Sequence, residues 1–207
     1  MEVMAEKEAE DFLEKEGFPV AKRKITRTEE DMLKAAKEIG YPLVLKVHSK
    51  KIIHKSDVGG VKVDVRNEEE AKKAYKEIMG IKDSEGCLVQ KFVPGDWFLL
   101  GLKKDPTFNH VLAFGTGGIY TEVIKDVALR ICPVSIEEIR KMIKETKGSK
   151  ILEGIRGKKL NIKAVEELLL KTSSLAKKHP NIQELDINPL VVNEKEAIVV
   201  DVRMVLD

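Results

Sequence analysis

Two carboxylates and one amide near the carboxyl end of the chain have the spacing of a cation site. Two apolar runs flank residues 193–196 (Asn-Glu-Lys-Glu), which predicts a hairpin with a four-residue turn. In that register Asn188 faces Asp201, and one pair further on Asp186 faces Arg203. Because alternate residues share a face, Asp186, Asn188 and Asp201 converge on one side. Their oxygens suit Mg²⁺ that also touches phosphates, and the alternative is a solvated polar sheet face.

A lysine on a strand, followed by a loop that ends in two glycines, has the composition of a phosphate site. Lys46 alternates with Leu45 and Val47, so its side chain projects from one face of the strand. Backbone N–H groups at Gly59 and Gly60 can approach phosphate oxygens closely, and a lysine adds a point charge. The pattern is not that of a P-loop, so an exposed lysine and a simple turn are the alternatives.

A histidine lies in the middle of the same loop. Because an imidazole is largely neutral near pH 7, the free ring nitrogen of His54 can attack phosphorus. The neighbouring Lys51 and Lys55 disfavour the imidazolium and can screen a transferred phosphoryl group. An ordinary exposed loop histidine is the alternative.

A second glycine-rich segment, residues 115–118 (Gly-Thr-Gly-Gly), follows an apolar strand-like run. Three glycines and a threonine suit backbone contact with an anion, and Arg130 further along the chain can clamp a phosphate. A turn with charged surface residues explains the same pattern equally well.

Helix starts are marked by polar caps followed by apolar residues at helical spacing. The predicted helices are Glu2–Lys15, one running from Thr28 to Gly40, and three that begin at Asn67, Ser135 and Asn161. The predicted strands are Leu43–Val47, Val61–Val65, Cys87–Val93, Trp97–Leu102, His110–Phe114, Leu129–Cys132, Glu184–Val192 and Ala197–Val202. Since helices separate some strands while others form meanders, the pattern predicts an α+β fold. A boundary near residues 93–95 is expected to divide the chain into two lobes.

Composition excludes several classes of protein. The chain has 207 residues, of which 43% are hydrophobic, so it can bury a sizeable core and is not of the disordered type. A net charge of +2 with both signs interspersed argues against a nucleic-acid-binding face. No apolar run is long enough to span a membrane, and residues 1–17 lack the apolar stretch of a secretory signal. Cys87 and Cys132 lie in apolar runs, which favours buried free thiols in a reducing cytoplasm.

Six stretches in this order resemble the β subunit of ADP-forming acetyl-CoA (acyl-CoA) synthetases, ATP-grasp proteins related to the β subunit of succinyl-CoA synthetase. They are 40–47 (GYPLVLKV), 54–61 (HKSDVGGV), 101–106 (GLKKDP), 117–126 (GGIYTEVIKD), 154–157 (GIRG) and 184–190 (ELDINPL). The resemblance covers residues 5–206. It implies one ATP-grasp domain over residues 1–207 whose two α/β lobes clamp a nucleotide. Lobe 1 would span about residues 17–93 and lobe 2 about residues 94–207, with the helix of residues 2–15 packed on lobe 2.

The resemblance also implies a reaction, in which acyl-CoA, ADP and phosphate are interconverted with a free acid, CoA and ATP through phosphohistidines. His54 would carry the phosphoryl group on a mobile loop, and Asp186 would orient the phosphorylated histidine of a CoA-binding α subunit. The implied nucleotide-binding residues are Lys46, Gly59, Gly60, Gln90 and Val93, and the implied Mg²⁺ ligands are Asn188 and Asp201. The expected assembly is an α2β2 heterotetramer in the cytoplasm, with no nucleic-acid or membrane partner.

The chain departs from this family near the nucleotide. Lys91 stands after Gln90 where relatives generally have glutamate, and Trp97 stands nearest the position of a glutamate used near the ribose. These departures motivate an alternative, a nucleotide-binding regulatory module with reduced catalysis. A different acid–thiol or acid–amine ligase on the same fold is a third possibility, but such ligases need no histidine relay.

Overall fold

The chain divides into two units, and the segment that forms one of them is inserted in the sequence of the other. The structure is a computed structural model and describes residues 1–49, 51–52, 55–118, 126–154 and 159–207. Residues 21–93 form the small unit, and residues 1–20 together with 94–207 form the large unit. The strands are β1 (Glu2–Val3), β2 (Arg23–Thr26), β3 (Leu43–His48), β4 (Val61–Val65), β5 (Gly86–Lys91), β6 (Asp96–Asp105), β7 (Asn109–Thr116), β8 (Val127–Ile131), β9 (Ile182–Val192), β10 (Ala197–Val199) and β11 (Val202–Leu206). The helices are α1 (Glu6–Lys15), α2 (Glu29–Ile39), α3 (Glu68–Met79), α4 (Ile136–Glu145), α5 (Ser149–Gly154) and α6 (Ile162–Lys178).

Four helices begin at the polar caps that the sequence marks. The side chains of Thr28, Asn67, Ser135 and Asn161 each accept a hydrogen bond from the backbone N–H three residues on. Such a bond satisfies one donor that the first helical turn leaves without a partner and stabilises the helix by about 1 kcal/mol.

The first helix starts later than the sequence predicts. It begins at Glu6, because Glu2 and Val3 form a short strand that pairs with Leu206 and Val205 of β11. Besides β1, two further elements have no counterpart in the sequence-based prediction. They are the charged edge strand β2 and the short helix α5, which has six residues.

The small unit is a four-stranded antiparallel sheet in the order β2-β5-β3-β4 with α2 and α3 on one face. Leu43, Leu45 and Val47 of β3 pack into the core with residues of both helices. Alternate residues of a strand point to opposite faces. The side chain of Lys46 therefore projects from the face of the sheet that is turned away from α2 and α3.

The large unit is built on an antiparallel sheet in the order β1-β11-β9-β6-β7-β8, with β10 added to β9. One face packs against the helices through fully buried side chains such as Phe98, Leu100, Phe114 and Ile187. On the other face Val127, Leu129 and Ile131 of the edge strand β8 are exposed. No helix in the described part of the chain is long and apolar enough to cross a membrane.

The two cysteines are free thiols in different units. Cys87 is buried, and burial raises the pKa of its thiol to about 12. Cys132 is only partly buried, so the expectation of two buried thiols is wrong for this residue. It directly follows β8, the edge strand of the sheet formed by the described residues.

Candidate active site

The C-terminal hairpin has the register that the four-residue turn predicts. Ala197 pairs with Val192 next to the turn, and Arg203 pairs with Asp186 at the far end. The sequence predicts a continuous partner strand over Ala197–Val202. In the structure this strand is broken into β10 and β11 at residues 200–201. Because the pairs on both sides keep one register, Asn188 stands opposite Asp201, which lies in this break.

Asp186 and Asp201 lie close enough for their charges to interact. The pKa of the Asp186 carboxyl is raised, first by burial and then by the charges of Glu184 and Asp201, against a smaller opposing effect of Arg203. The Arg203 guanidinium donates to Glu184 at 2.7 Å. A partly buried carboxylate beside another carboxylate is poised to accept a cation or a proton donor.

The third oxygen of this group is held in a fixed orientation. The backbone N–H of Gly118 donates to Asn188 Oδ1 at 2.9 Å. A carbonyl oxygen has a second lone pair, so this bond orients the amide and still leaves Oδ1 able to bind a cation. Gly118 has a φ of +93°, a conformation that glycine adopts without strain. The bond joins residues 70 positions apart, and nothing in the local sequence announces it.

The donor set fits a small hard dication that is shared with a substrate. Within the described ranges no group of three or more His, Cys, Asp or Glu side chains is placed to hold a metal ion. Two carboxylates and one oriented amide would supply only part of a coordination sphere. Mg²⁺ binds in this manner, through one or two carboxylates plus water and phosphate oxygens.

The raised pKa of Asp186 predicts a pH-dependent effect on stability. A carboxyl with a raised pKa in the folded protein favours folding when protonated, and its ionisation lowers stability as pH rises from the unfolded pKa through the folded one. We expect Asp186→Asn, which cannot ionise, to unfold at a higher temperature than wild type at pH 7. The gain should disappear below about pH 4, where the wild-type carboxyl is protonated in both states.

Thermal unfolding followed by circular dichroism from pH 3 to 8 measures this difference. Glu194→Gln changes an exposed carboxylate of the same hairpin turn and should follow the wild-type profile. A gain for Asp186→Asn that persists unchanged at acid pH would mean that ionisation is not its cause.

In the small unit, the two polar residues that the sequence assigns to the nucleotide are both buried. Lys46 is 4% exposed and Gln90 is 1% exposed, so Lys46 is not the exposed surface lysine of the alternative interpretation. Val44 pairs with Gln90 and Lys46 pairs with Leu88, so both polar side chains project from the sheet face away from the helices. A lysine is rarely buried unless its charge is compensated.

Gly60 sits where a side chain has no room. A Cβ at this position would lie 2.5 Å from Val47 Cγ1 and 2.9 Å from the Lys55 carbonyl oxygen. The N–H groups of Gly59 and Gly60 donate to the carbonyl oxygens of Ser56 and Lys55. Both amides are thus used inside the turn, so a phosphate contact through them requires the turn to open or the hydrogen bonds to be shared.

Lys91, the departure that the sequence places next to Gln90, has a structural partner. Its Nζ donates to the carbonyl oxygens of Gly40 at 2.8 Å and Tyr41 at 2.9 Å, just past the end of α2. A cation at the carboxyl end of a helix also interacts favourably with the helix dipole. Val93 lies beyond the end of β5, which stops at Lys91 and not at Val93 as predicted.

We expect Lys91→Met to lower the stability of the chain by about 1–3 kcal/mol, because two carbonyl groups lose a charged donor. Thermal unfolding measures the loss, and calorimetry with Mg-ATP should give an unchanged affinity. Lys22→Met, on the neighbouring segment but exposed, is the matched control. Weakened nucleotide binding at unchanged stability would instead make Lys91 a nucleotide-binding residue.

Two further candidates have different outcomes. His54 lies outside the described residues. Arg130 is engaged by Glu138 and Glu145 of α4, so it braces the β8 edge against that helix and does not present a free phosphate clamp.

Sequence reasoning assigned no contact to the buried carboxylate of Asp126. It accepts hydrogen bonds from the backbone N–H groups of Lys147 at 2.7 Å and Gly148 at 2.9 Å, and from Thr116 Oγ1 at 3.3 Å. Asp126 therefore fixes the end of β7, and with it the glycine-rich segment, to the turn before α5. The acidic residue itself is visible in the sequence, but its partners 21 and 22 positions away are not.

Comparison with known proteins places these features in a family. The model of the ATP-grasp domain family matches residues 1–206. The chain is 42% identical over 212 residues to subunit beta of acetate–CoA ligase [ADP-forming] I from Pyrococcus furiosus, covering 98% of this chain and 91% of the relative.

Two solved structures are also similar to this chain over nearly its whole length. Acetyl-coenzyme A synthetase 1 of Ca. Korarchaeum cryptofilum, in complex with coenzyme A, Ca-AMPCP and HgCl+, has a TM-score of 0.93 and 39% identity, over 99% of this chain and 93% of that chain. A selenomethionine form of the same protein, with coenzyme A and Mg-AMPPCP, has its phosphohistidine segment pointing towards the nucleotide-binding site. It matches with a TM-score of 0.88 and 39% identity, over the same shares of the two chains.

The chain therefore belongs to the ATP-grasp family, and the α+β fold expected from the sequence is confirmed. One relative that it matches over nearly the whole length is the β subunit of an ADP-forming acetate–CoA ligase. The resemblance found in the six sequence stretches is thus confirmed as well.

Proposed function

We propose that this chain is the nucleotide-binding β subunit of an ADP-forming acyl-CoA synthetase. It would interconvert acyl-CoA, ADP and phosphate with acid, CoA and ATP. The observation that carries the proposal is the hairpin group, in which Asp186 and Asp201 lie together and the Asn188 amide is oriented by Gly118. It stands in a chain whose full-length relative is named for this reaction.

The residues present fit Mg-ATP. Asn188 Oδ1 and an Asp201 oxygen would hold Mg²⁺, which when bound neutralises charge on the phosphate oxygens. The buried Lys46 would supply a positive charge to phosphate oxygens of the nucleotide. Most of the work in phosphoryl transfer is positioning and charge neutralisation, and these side chains supply both.

His54 is proposed as the group that accepts and returns the phosphoryl group. A ring nitrogen of His54 would attack the phosphorus carried by the phosphorylated histidine of the α subunit, so an N–P bond forms at His54 while the bond from phosphorus to the α-subunit histidine breaks. In the direction of ATP formation, a terminal oxygen of ADP then attacks the same phosphorus and the histidine leaves. A relay of this kind replaces one long transfer by two short ones.

The partner is proposed to be a CoA-binding α subunit in an α2β2 assembly. The name of the full-length relative as a β subunit supports a partner chain. Asp186 would receive the phosphorylated histidine of that subunit, since its raised pKa favours a proton or a proton donor at this carboxylate. The free thiols of Cys87 and Cys132 agree with a reducing cytoplasm.

Reconstitution tests the proposal. We expect that ATP forms from acetyl-CoA, ADP and phosphate only when this chain is mixed with a CoA-binding α subunit. Each chain alone should be inactive. Mg-ATP binding to this chain in calorimetry without any turnover in the mixture would favour the regulatory module instead.

A further inference from the structure

The carboxylate of Asp126 joins two segments that are distant in the sequence. It is 8% exposed and accepts the backbone N–H groups of Lys147 and Gly148 and the hydroxyl of Thr116. A buried charge requires partners that compensate it, and these three donors do so. The backbone of Asp126 is engaged as well, because its carbonyl oxygen accepts the N–H of Thr116 at 3.2 Å. Asp126 thus ties the turn before α5 to the end of β7.

The turn that Asp126 holds packs against the glycine-rich segment of residues 115–118. A Cβ at Gly148 would lie 2.9 Å from Thr116 Cγ2 and 3.2 Å from Phe98 Cε1. The backbone of the turn therefore approaches both side chains as closely as a glycine allows. Any movement of this turn changes the packing at Thr116, which is only two residues before the end of the segment.

Strand β6 fixes the next residues of the same segment. The N–H of Gly117 donates to the carbonyl oxygen of Trp97 at 3.0 Å, and a Cβ at Gly117 would lie 2.5 Å from the carbonyl carbon of Phe98. The residue that follows, Gly118, donates its N–H to Asn188 Oδ1. Because a hydrogen bond weakens steeply when its angle departs from linear, the placement of the segment determines how firmly the Asn188 amide is oriented.

We propose that Asp126 is a positioning residue for the magnesium site, acting through the glycine-rich segment on the Asn188 amide. This inference rests on the proposed function, in which Asn188 Oδ1 binds the cation. Asp126 acts through other residues, because its two carboxylate oxygens are engaged with three donors of the protein itself. Groups that orient a metal ligand without binding the metal typically change its affinity by about 10- to 100-fold when they are removed.

The test variant is Asp126→Asn, because an amide keeps the shape of the side chain but has only one acceptor oxygen for the three donors. We expect exchange of the Gly118 amide hydrogen, followed by NMR in the full chain without metal, to become at least about 10-fold faster. The Mg²⁺ concentration that supports half-maximal ATP binding in calorimetry should rise about 10- to 100-fold.

The reconstituted assembly separates positioning from loss of structure. With Asp126→Asn, the rate of ATP formation at saturating Mg²⁺ should return to nearly the wild-type value, while the half-maximal Mg²⁺ concentration stays high. A variant that had only lost folded protein would show a lower rate at every Mg²⁺ concentration and an unchanged half-maximal concentration.

Asp105 provides the matched control at the other end of the hairpin formed by β6 and β7. Its carboxylate also accepts two backbone N–H groups, those of Thr107 at 2.8 Å and Phe108 at 2.9 Å. Asp105→Asn therefore removes a similar set of hydrogen bonds from the same unit. It should leave both the exchange of the Gly118 amide and the Mg²⁺ affinity as they are in wild type.

Thr116→Val is the second variant, and it decides the question if Asp126→Asn does not fold. It keeps a methyl group against the turn and removes the hydroxyl that donates to Asp126. Both readouts should shift in the same direction by about 2- to 10-fold, as the loss of one hydrogen bond gives. Unchanged exchange and Mg²⁺ affinity in the folded variants would show this inference to be wrong and leave the proposed function intact. If wild type binds no Mg-ATP, the proposed function fails and this inference fails with it.

Discussion

Replacing His54 with asparagine is expected to abolish acetyl-CoA-dependent ATP formation while nucleotide binding persists. Asparagine keeps a polar side chain of similar reach but has no nitrogen that can attack phosphorus. Removing the nucleophile of a covalent mechanism typically costs at least about 10³-fold in rate. The binding groups Lys46, Asn188 and Asp201 remain, so the affinity for Mg-ATP should change little.

Two measurements separate chemistry from binding. Labelling with γ-³²P ATP should give a phosphorylated wild-type chain whose label is lost in mild acid, as phosphohistidine requires, and no label on the variant. His179→Asn is the control, because His179 is engaged with Glu16 in the large unit and has no proposed chemistry. A His54→Asn chain that retains full ATP formation with the α subunit would refute the relay.

Asp201→Asn is expected to shift the Mg²⁺ dependence of ATP formation to higher concentrations by lowering the affinity for the cation. The amide keeps the shape of the side chain but removes the negative charge that would bind the cation. We expect the Mg²⁺ concentration for half-maximal activity to rise at least about 10-fold, since even changes outside the direct ligands of a metal weaken affinity by this order. High Mg²⁺ should restore part of the rate.

The experiment is a magnesium titration of ATP formation in the reconstituted assembly. Glu194→Gln, an exposed charge change in the hairpin turn, should titrate as wild type does.

The Asp201→Asn change also removes one of the charges that raise the pKa of Asp186. The stability of Asp201→Asn at neutral pH should therefore not fall, and a loss of activity through unfolding can be distinguished by circular dichroism. An unchanged Mg²⁺ dependence would place the cation elsewhere.

The sequence predicts those features that depend on neighbours along the chain. The hairpin register follows from strand alternation and turn length, so the positions of Asp186, Asn188 and Asp201 could be assigned in advance. The four capped helix starts are likewise local, because each cap bonds to a residue three positions away.

Features that depend on distant parts of the chain were not predictable. Lys46 looks like a surface residue until the environment of its sheet face is known. The bond from Gly118 to Asn188 and those from Lys147 and Gly148 to Asp126 join segments that meet only in the folded unit. The late start of α1 has the same origin, since the pairing of Glu2 and Val3 with the opposite end of the chain competes with helix formation.

The arrangement of the two units along the chain has a consequence for the order of folding during synthesis. Residues 21–93 are one uninterrupted stretch that contains all four strands and both helices of its sheet. They leave the ribosome long before β11, on which β1 depends. Units with contacts between nearby residues fold quickly, and domains fold as they emerge. We therefore expect residues 21–93 to fold during synthesis before β11 has been made and can pair with β1.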